Sequence, residues 1–246
     1  HIIDVAEQLI DLNRSTGKIL HLDIEPEPDG LIETGKEFIE WYQNYLLNAG
    51  VKRIASKYAV TNDEAEKMIK EHIRLCYDVC HFAIGYEPHA EIIKQLAAEG
   101  IQTGKIQISA ALKAAMNGEA DRRSKVRGAF AAFNEPTYLH QVIAREKDGG
   151  FVRYRDLPDA LEDAENLSIN EWRAHFHVPV FVKNFGVLDS TQDDIRHVLN
   201  IQKTAPFTHH LEVETYTWEV LSDSLKLPID QSIVRELQWV ENQLSL

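Results

Sequence analysis

Several apolar runs in this chain end on an acid or a histidine. Ile19–Ile24 runs into Glu25-Pro26-Glu27-Pro28. Leu75-Cys76-Tyr77-Asp78-Val79-Cys80-His81 carries an Asp-x-x-His pair. Arg173–Phe176 leads through His175 to His177, and His209–Val213 carries Glu212 into Glu214. Side chains of these types hold divalent ions or pass protons. Gathered where strands end, at the top of a parallel sheet, they mark a metal or acid–base site.

Each candidate has a plainer alternative. Glu25 ends an apolar strand with Pro26 stiffening the backbone behind it, which suits a metal carboxylate; otherwise it is a solvated loop acid. Asp78 and His81 lie within reach of one ion; otherwise His81 is a hydrogen-bonded core histidine. His175 and His177, two apart on a strand, project to one face and so can share an ion; otherwise they are the polar face of an edge strand. Glu212 and Glu214 also share a face, and paired glutamates on a buried strand are costly unless a cation or a proton neutralises them. Glu214, nearer the strand end, is the expected last ligand, with Glu212 on the substrate side. Alternatively, one of the two is a general base. Glu25 and Glu214 are thus both ligand and catalytic candidates. Such a mixed imidazole and carboxylate set suits Mn²⁺, Mg²⁺, Zn²⁺ or Fe²⁺. His140 and Arg173, with Arg153 and Arg155, are candidates for binding a substrate phosphate or carboxylate, against the plainer reading of surface ion pairs.

The composition narrows the partners. The 246 residues can bury a full core as one domain. A formal charge of −13 argues against nucleic acid, which needs a basic face. The expected partner is a small-molecule substrate. No apolar run is long enough to span a bilayer. The two cysteines, Cys76 and Cys80, read as small buried thiols, which fits a cytoplasmic protein.

The elements that must position these residues follow from periodicity. Apolar spacing predicts a helix up to Ser15-Thr16-Gly17 and a strand over Lys18–Ile24. It then predicts a helix over Glu33–Asn48, stopped by Gly50, with Phe38, Ile39, Trp41, Tyr42, Tyr45 and Leu46 on its apolar side. Thr61-Asn62-Asp63-Glu64 is a capping box that opens a helix ending near His72. The central strand follows, then a helix from Glu87-Pro88-His89 to Leu96, a strand over Gly104–Ser109, and a helix over roughly 119–132. This strand–helix rhythm predicts parallel strands. It breaks at a β-hairpin, Tyr138–Arg145 with Phe151–Arg155 around Asp148-Gly149-Gly150. Beyond the hairpin the expected order is a short helix over Asp156–Leu167, a strand over Trp172–Val182, a helix from Ser190 to Ile201, a last strand over His209–Glu214, and helices over Thr217–Leu225 and Pro228–Leu244. About four core parallel strands are half of a (β/α)₈ barrel. Because the helical pattern is already running at Ile2, the earlier strands are expected upstream of residue 1.

Leu22-Asp-Ile-Glu25-Pro26 resembles the fifth-strand metal glutamate of the xylose isomerase-like TIM barrels, which include sugar-phosphate isomerases and epimerases and an endonuclease branch. Asp78-x-x-His81 resembles their sixth-strand motif, and Lys105-Ile-Gln-Ile-Ser109 lies where they carry the seventh. His175-Phe-His177 is similar to the Asp-x-His after that strand in the endonuclease branch, and Leu211-Glu-Val-Glu-Thr-Tyr-Thr-Trp218 resembles the eighth strand. Phe133–Val142, Tyr154–Pro158 and Trp172–Pro179 further resemble the TIM-barrel family encoded in the ebo metabolite-traffic gene clusters of bacteria and algae. The resemblance implies a TIM barrel of the xylose isomerase-like type, this chain covering its C-terminal half with an inserted β-hairpin. It also implies a divalent metal, isomerase or epimerase chemistry on a small molecule, and partner proteins from the same gene cluster. Hydrolysis and non-catalytic small-molecule binding are the alternatives. Gln107 departs from the family, which usually has a ligand histidine there. An amide oxygen is a weaker, neutral ligand, so Gln107 either weakens the site or binds substrate.

Overall fold

The computed structural model describes residues 1–118, 120–136, 138–215 and 226–245. Its organising element is a parallel sheet of β1 (Leu22–Ile24), β2 (Ile73–Asp78), β3 (Thr103–Ile108) and β10 (Leu211–Val213), in that order. Alternation gives the sheet two unlike faces. Leu22, Ile24, Ile73, Leu75, Tyr77, Ile106, Ile108 and Val213 join the hydrophobic core. The intervening residues, among them Glu25, Asp78, Lys105, Gln107, Glu212 and Glu214, share the opposite face, where Lys105 pairs with Glu212 at 2.7 Å. At Gly104 a side chain would collide with the Asp23 carboxylate, so the strand leaves its space to that acid. Among the described residues the sheet is open, with β1 and β10 at its edges. The architecture is therefore α/β with a parallel sheet.

Helices α1 (Ile2–Thr16), α2 (Gly35–Trp41), α3 (Asn48–Tyr58) and α4 (Asn62–His72) come before β2; α5 (Val79–Ile84) and α6 (His89–Ala98) lead from β2 to β3. The Thr61 capping box is formed in full. Two expectations need correction here. Gly50 does not stop a helix. It lies inside α3, where a Cβ would strike the Ile3 and Ile69 side chains, so its role is close packing against α1 and α4. Tyr45 is not on the apolar side. The chain between α2 and α3 is a π-helical stretch, Tyr42–Leu47, whose wider turn moves the face round. Tyr42 is buried while Tyr45 is 70 % exposed.

The hairpin is one edge of something larger. β4 (Leu112–Ala115), β5 (Val142–Glu146), β6 (Phe151–Tyr154), β7 (Ile169–Ala174), β8 (Asn184–Phe185) and β9 (Leu188–Ser190) form an antiparallel sheet in the order β6-β5-β7-β4-β9-β8. β4, β8 and β9 are too short to show alternation in sequence. β7 ends at Ala174 rather than Val182. Beyond it the chain leaves the ladder and bonds to other segments, with Val178 N donating to Ala110 O at 3.0 Å. The excursion also carries α7 (Ala120–Ala131) and α8 (Leu157–Glu162), and α9 (Gln192–Thr204) returns the chain to β10. α10 (Ile229–Ser245) packs on α9 and β10. The helix expected over Thr217–Leu225 lies outside the described residues. None of the described helices is long and apolar enough to cross a membrane.

Candidate metal centre

The parallel register brings the strand-end residues to one level. Asp78 pairs with Gln107, which pairs with Glu212, while Glu25 and Glu214 follow directly on β1 and β10. Asp78 both ends β2 and caps α5. Its Oδ1 accepts from His81 N at 3.0 Å and from Ser109 Oγ at 2.7 Å. The Asp-x-x-His spacing is therefore an N-cap spacing, and it turns the imidazole back over the carboxylate.

Three carboxylates converge on Gln107. Its amide nitrogen lies 3.2 Å from Glu25 Oε1 and 3.2 Å from Asp78 Oδ2, and it donates to Glu214 Oε2; its oxygen accepts from Cys76 Sγ at 2.7 Å. An amide has two N–H donors, so it cannot serve three acids fully. The strain shows in the titration. Burial, with the Asp78 and Glu25 charges, pushes Glu214 up to about 7, and burial with Asp78 raises Glu25. Burial alone would raise Asp78 too, but the His81 and His177 imidazoles and its hydrogen bonds hold it below the usual range.

Beside this group three histidines meet. His81 Nε2 lies 3.2 Å from His175 Nε2, which lies 3.3 Å from His177 Nε2. His81 Nδ1 donates to Pro26 O at 2.9 Å and His175 Nδ1 to Gln141 Oε1 at 2.8 Å, while His177 Nδ1 faces Glu214 Oε1 at 3.6 Å. A backbone carbonyl only accepts, so His81 carries a proton on Nδ1, and the same assignment for His175, opposite the Gln141 amide oxygen, leaves its Nε2 lone pair facing His81. Burial pushes His175 well below the ordinary imidazole value and His177 down to about 4, so both rings are neutral at physiological pH. Burial would lower His81 as well, but Asp78 and Glu25 outweigh it and raise it. Imidazole nitrogens tetrahedrally bound at about 2.0–2.1 Å stand about 3.3 Å apart, which is the spacing of the His81–His175 and His175–His177 pairs. Asp78 Oδ2 is 3.9 Å from His177 Nε2, between the two groups, and Cys80 is near His175 and His177. Rings oriented through Nδ1 with Nε2 free for an ion are the usual arrangement of metal-ligating histidines.

Glu25, Glu214 and the three histidines line one cavity of about 470 Å³, completed by Glu27, Gln141, Tyr138 and Leu139, and Asp78 and Gln107 are buried behind them. The metal candidates of the sequence, Glu25, Asp78, His81, His175, His177 and Glu214, are therefore brought together, with Gln107 among them. The substrate-side candidates are not. His140 is stacked on Phe176 at 3.9 Å, its Nδ1 bonded to His175 O, and it supports the histidine segment from behind. Arg173 donates to Ala83 O and Glu171 and lies over the Tyr86 ring. Glu212 is held outside the cavity by Lys105. Sequence reasoning missed Ser109 and Gln141. Ser109 was legible, two residues beyond Gln107 on the same strand face; nothing in the sequence marks Gln141. Comparison with protein-family models, curated proteins and solved structures finds no match for this chain.

Proposed function

We propose that the chain carries a divalent-metal centre acting on a small, uncharged hydroxyl- or carbonyl-bearing molecule, with isomerase or epimerase chemistry as the leading reaction class. The observation that carries the reading is the approach of three buried imidazoles, Nε2 to Nε2 at 3.2 and 3.3 Å, beside three carboxylates. Such a set is costly without a cation. Asp78, His81 and His177 would hold one ion, with His175 beside them. Glu25, Asp78, Glu214 and the Gln107 oxygen, after a flip of the amide, would hold an oxygen-preferring one. A bound ion supplies Lewis acidity toward a carbonyl or hydroxyl oxygen. Burial and the neighbouring acids push Glu214 up to about 7 in the metal-free site, and whichever of Glu25 and Glu214 stays off the ion would hold and return the proton. No lysine or arginine lines the cavity among the described residues, which favours an uncharged ligand over a phosphate ester.

The barrel belongs to the same proposal. Four parallel strands with functional residues at their C-terminal ends suit the C-terminal half of a TIM barrel of the xylose isomerase-like type, the antiparallel excursion inserted before its last strand. A cytoplasmic location follows from the two buried free thiols, and partners from a metabolite-traffic gene cluster follow from the resemblance. Gln107 favours one other reading, since a neutral amide in a ligand position suits a binding component that holds a metabolite without turning it over. Metal-assisted hydrolysis is the remaining alternative.

The test is metal content of the purified protein by inductively coupled plasma mass spectrometry, beside an Asp78→Ala/Glu214→Ala double variant. One or two ions per chain, lost in the variant, supports the centre and makes a screen of free against phosphorylated sugars worthwhile. No uptake, even after incubation with Zn²⁺ or Mn²⁺, refutes it.

A further inference from the structure

Glu236, on α10, is 1 % exposed. A buried carboxylate is costly, and α10 could pack against α9 and β10 with an apolar residue there. What offsets the cost is specific. Glu236 Oε1 accepts from Val180 N at 2.8 Å and from Thr215 Oγ1 at 2.8 Å. Val180 lies three residues beyond His177, and Thr215 directly follows Glu214. One oxygen atom thus joins the segment that carries the histidines to the segment that carries the last carboxylate. Val180 is held from its other side too, its carbonyl accepting from Gln192 Nε2 at 2.8 Å. The two arms face each other where His177 Nδ1 stands 3.6 Å from Glu214 Oε1.

We propose that Glu236 is a positioning residue of the metal centre, setting through Val180 and Thr215 the spacing between the histidine arm and the carboxylate arm. The inference rests on the metal reading above. It assigns α10, which supplies no ligand, the part of an outer brace. Outer partners of this kind fix ligand orientation, and their loss weakens metal binding by about 10–100-fold.

The experiment titrates Co²⁺ into the full chain and reads both affinity and the visible ligand-field bands, for wild type, Glu236→Ala, Glu236→Gln, Thr215→Val and Val240→Ala. Glu236→Ala should bind at least about tenfold more weakly, with altered bands, while Glu236→Gln, whose amide oxygen accepts both bonds, should stay within about threefold of wild type. Thr215→Val, which keeps the side-chain shape and removes one bond, should fall between them. Val240→Ala removes buried apolar volume from the same helix. It should lower the melting temperature and leave affinity and bands unchanged. Wild-type binding and bands in a folded Glu236→Ala would overturn the proposal, as would the same result in Thr215→Val should Glu236→Ala fail to fold. So would an equal loss in Val240→Ala, which would make the effect general helix packing. A wild type that takes up no Co²⁺ refutes the metal reading itself, before any variant is compared.

Discussion

His81 and His175 face each other through their Nε2 atoms at 3.2 Å, each with its other ring nitrogen donating to an oxygen. At that distance something positive lies between them, either a proton on His81, which Asp78 and Glu25 favour, or a metal ion that replaces it. Zn²⁺ should therefore raise the melting temperature, and a chelator should reverse the rise. At about 100 times the dissociation constant the gain is about 2.7 kcal/mol. His175→Ala should abolish most of the response. A melting curve indifferent to Zn²⁺ in the wild type would count against the histidine site.

Gln107 separates two effects. Gln107→Leu removes the amide shared by Glu25, Asp78 and Glu214, and should destabilise the chelator-treated protein by about 1–3 kcal/mol at neutral pH. Gln107→His should shift preference from Mn²⁺ toward Zn²⁺, since imidazole suits the softer ion. Urea unfolding checks the first and competitive metal titration the second. Unchanged stability in the leucine variant would mean that the amide does nothing to relieve the three acids.

Glu87 predicts a pH dependence. Its two oxygens share the one N–H of Gly35, yet burial pushes it up to about 7, against 4.5 for an ordinary glutamate. Between those values the folded chain keeps a proton that the unfolded chain has lost, so stability falls as pH rises through that window. Glu87→Gln should remove this slope. His177, held near 4 by burial, acts in the opposite sense as pH rises from its folded value toward 6.5. The measurement is therefore the difference in urea midpoints between wild type and Glu87→Gln from pH 4.5 to pH 8. A constant difference would refute the assignment.

Arg123 is buried, and its guanidinium donates to the carbonyls of Met116, Ala164, Asn166 and Ile169. It ties α7 to the chain between α8 and β7. Arg123→Met leaves those carbonyls without their donor and should cost about 3 kcal/mol in urea unfolding. A loss within the error of the midpoint would show that water reaches the carbonyls.

The site was more legible than the fold around it. Glu25, Asp78, His81 and Glu214 stand at the ends of apolar runs, and a parallel sheet places all such ends on one side. His175 and His177 were found by alternation although they lie beyond the end of β7, because an extended chain alternates with or without a ladder. Tyr45 was misplaced because one π-helical stretch changes the period on which the reading depends. Gly50 was misread because a glycine needed for helix contact looks the same in sequence as one that ends a helix. His140 and Arg173 were chosen by type alone, and type does not reveal that one lies behind the histidine segment and the other over a tyrosine ring. The six-stranded sheet was hidden because strands as short as Asn184–Phe185 have no period to detect.

The centre draws its ligands from two separate sheets: carboxylates from the parallel one, and His175 and His177 from the chain leaving the antiparallel one. An ion there would act as a rivet between two halves that otherwise meet through side-chain packing and a few hydrogen bonds, such as that from Arg173 to Ala83 O. Its reach would then extend beyond chemistry to cooperativity. The loaded protein should melt in one sharp calorimetric transition. The stripped protein should melt in a broader one, with the antiparallel sheet loosening first.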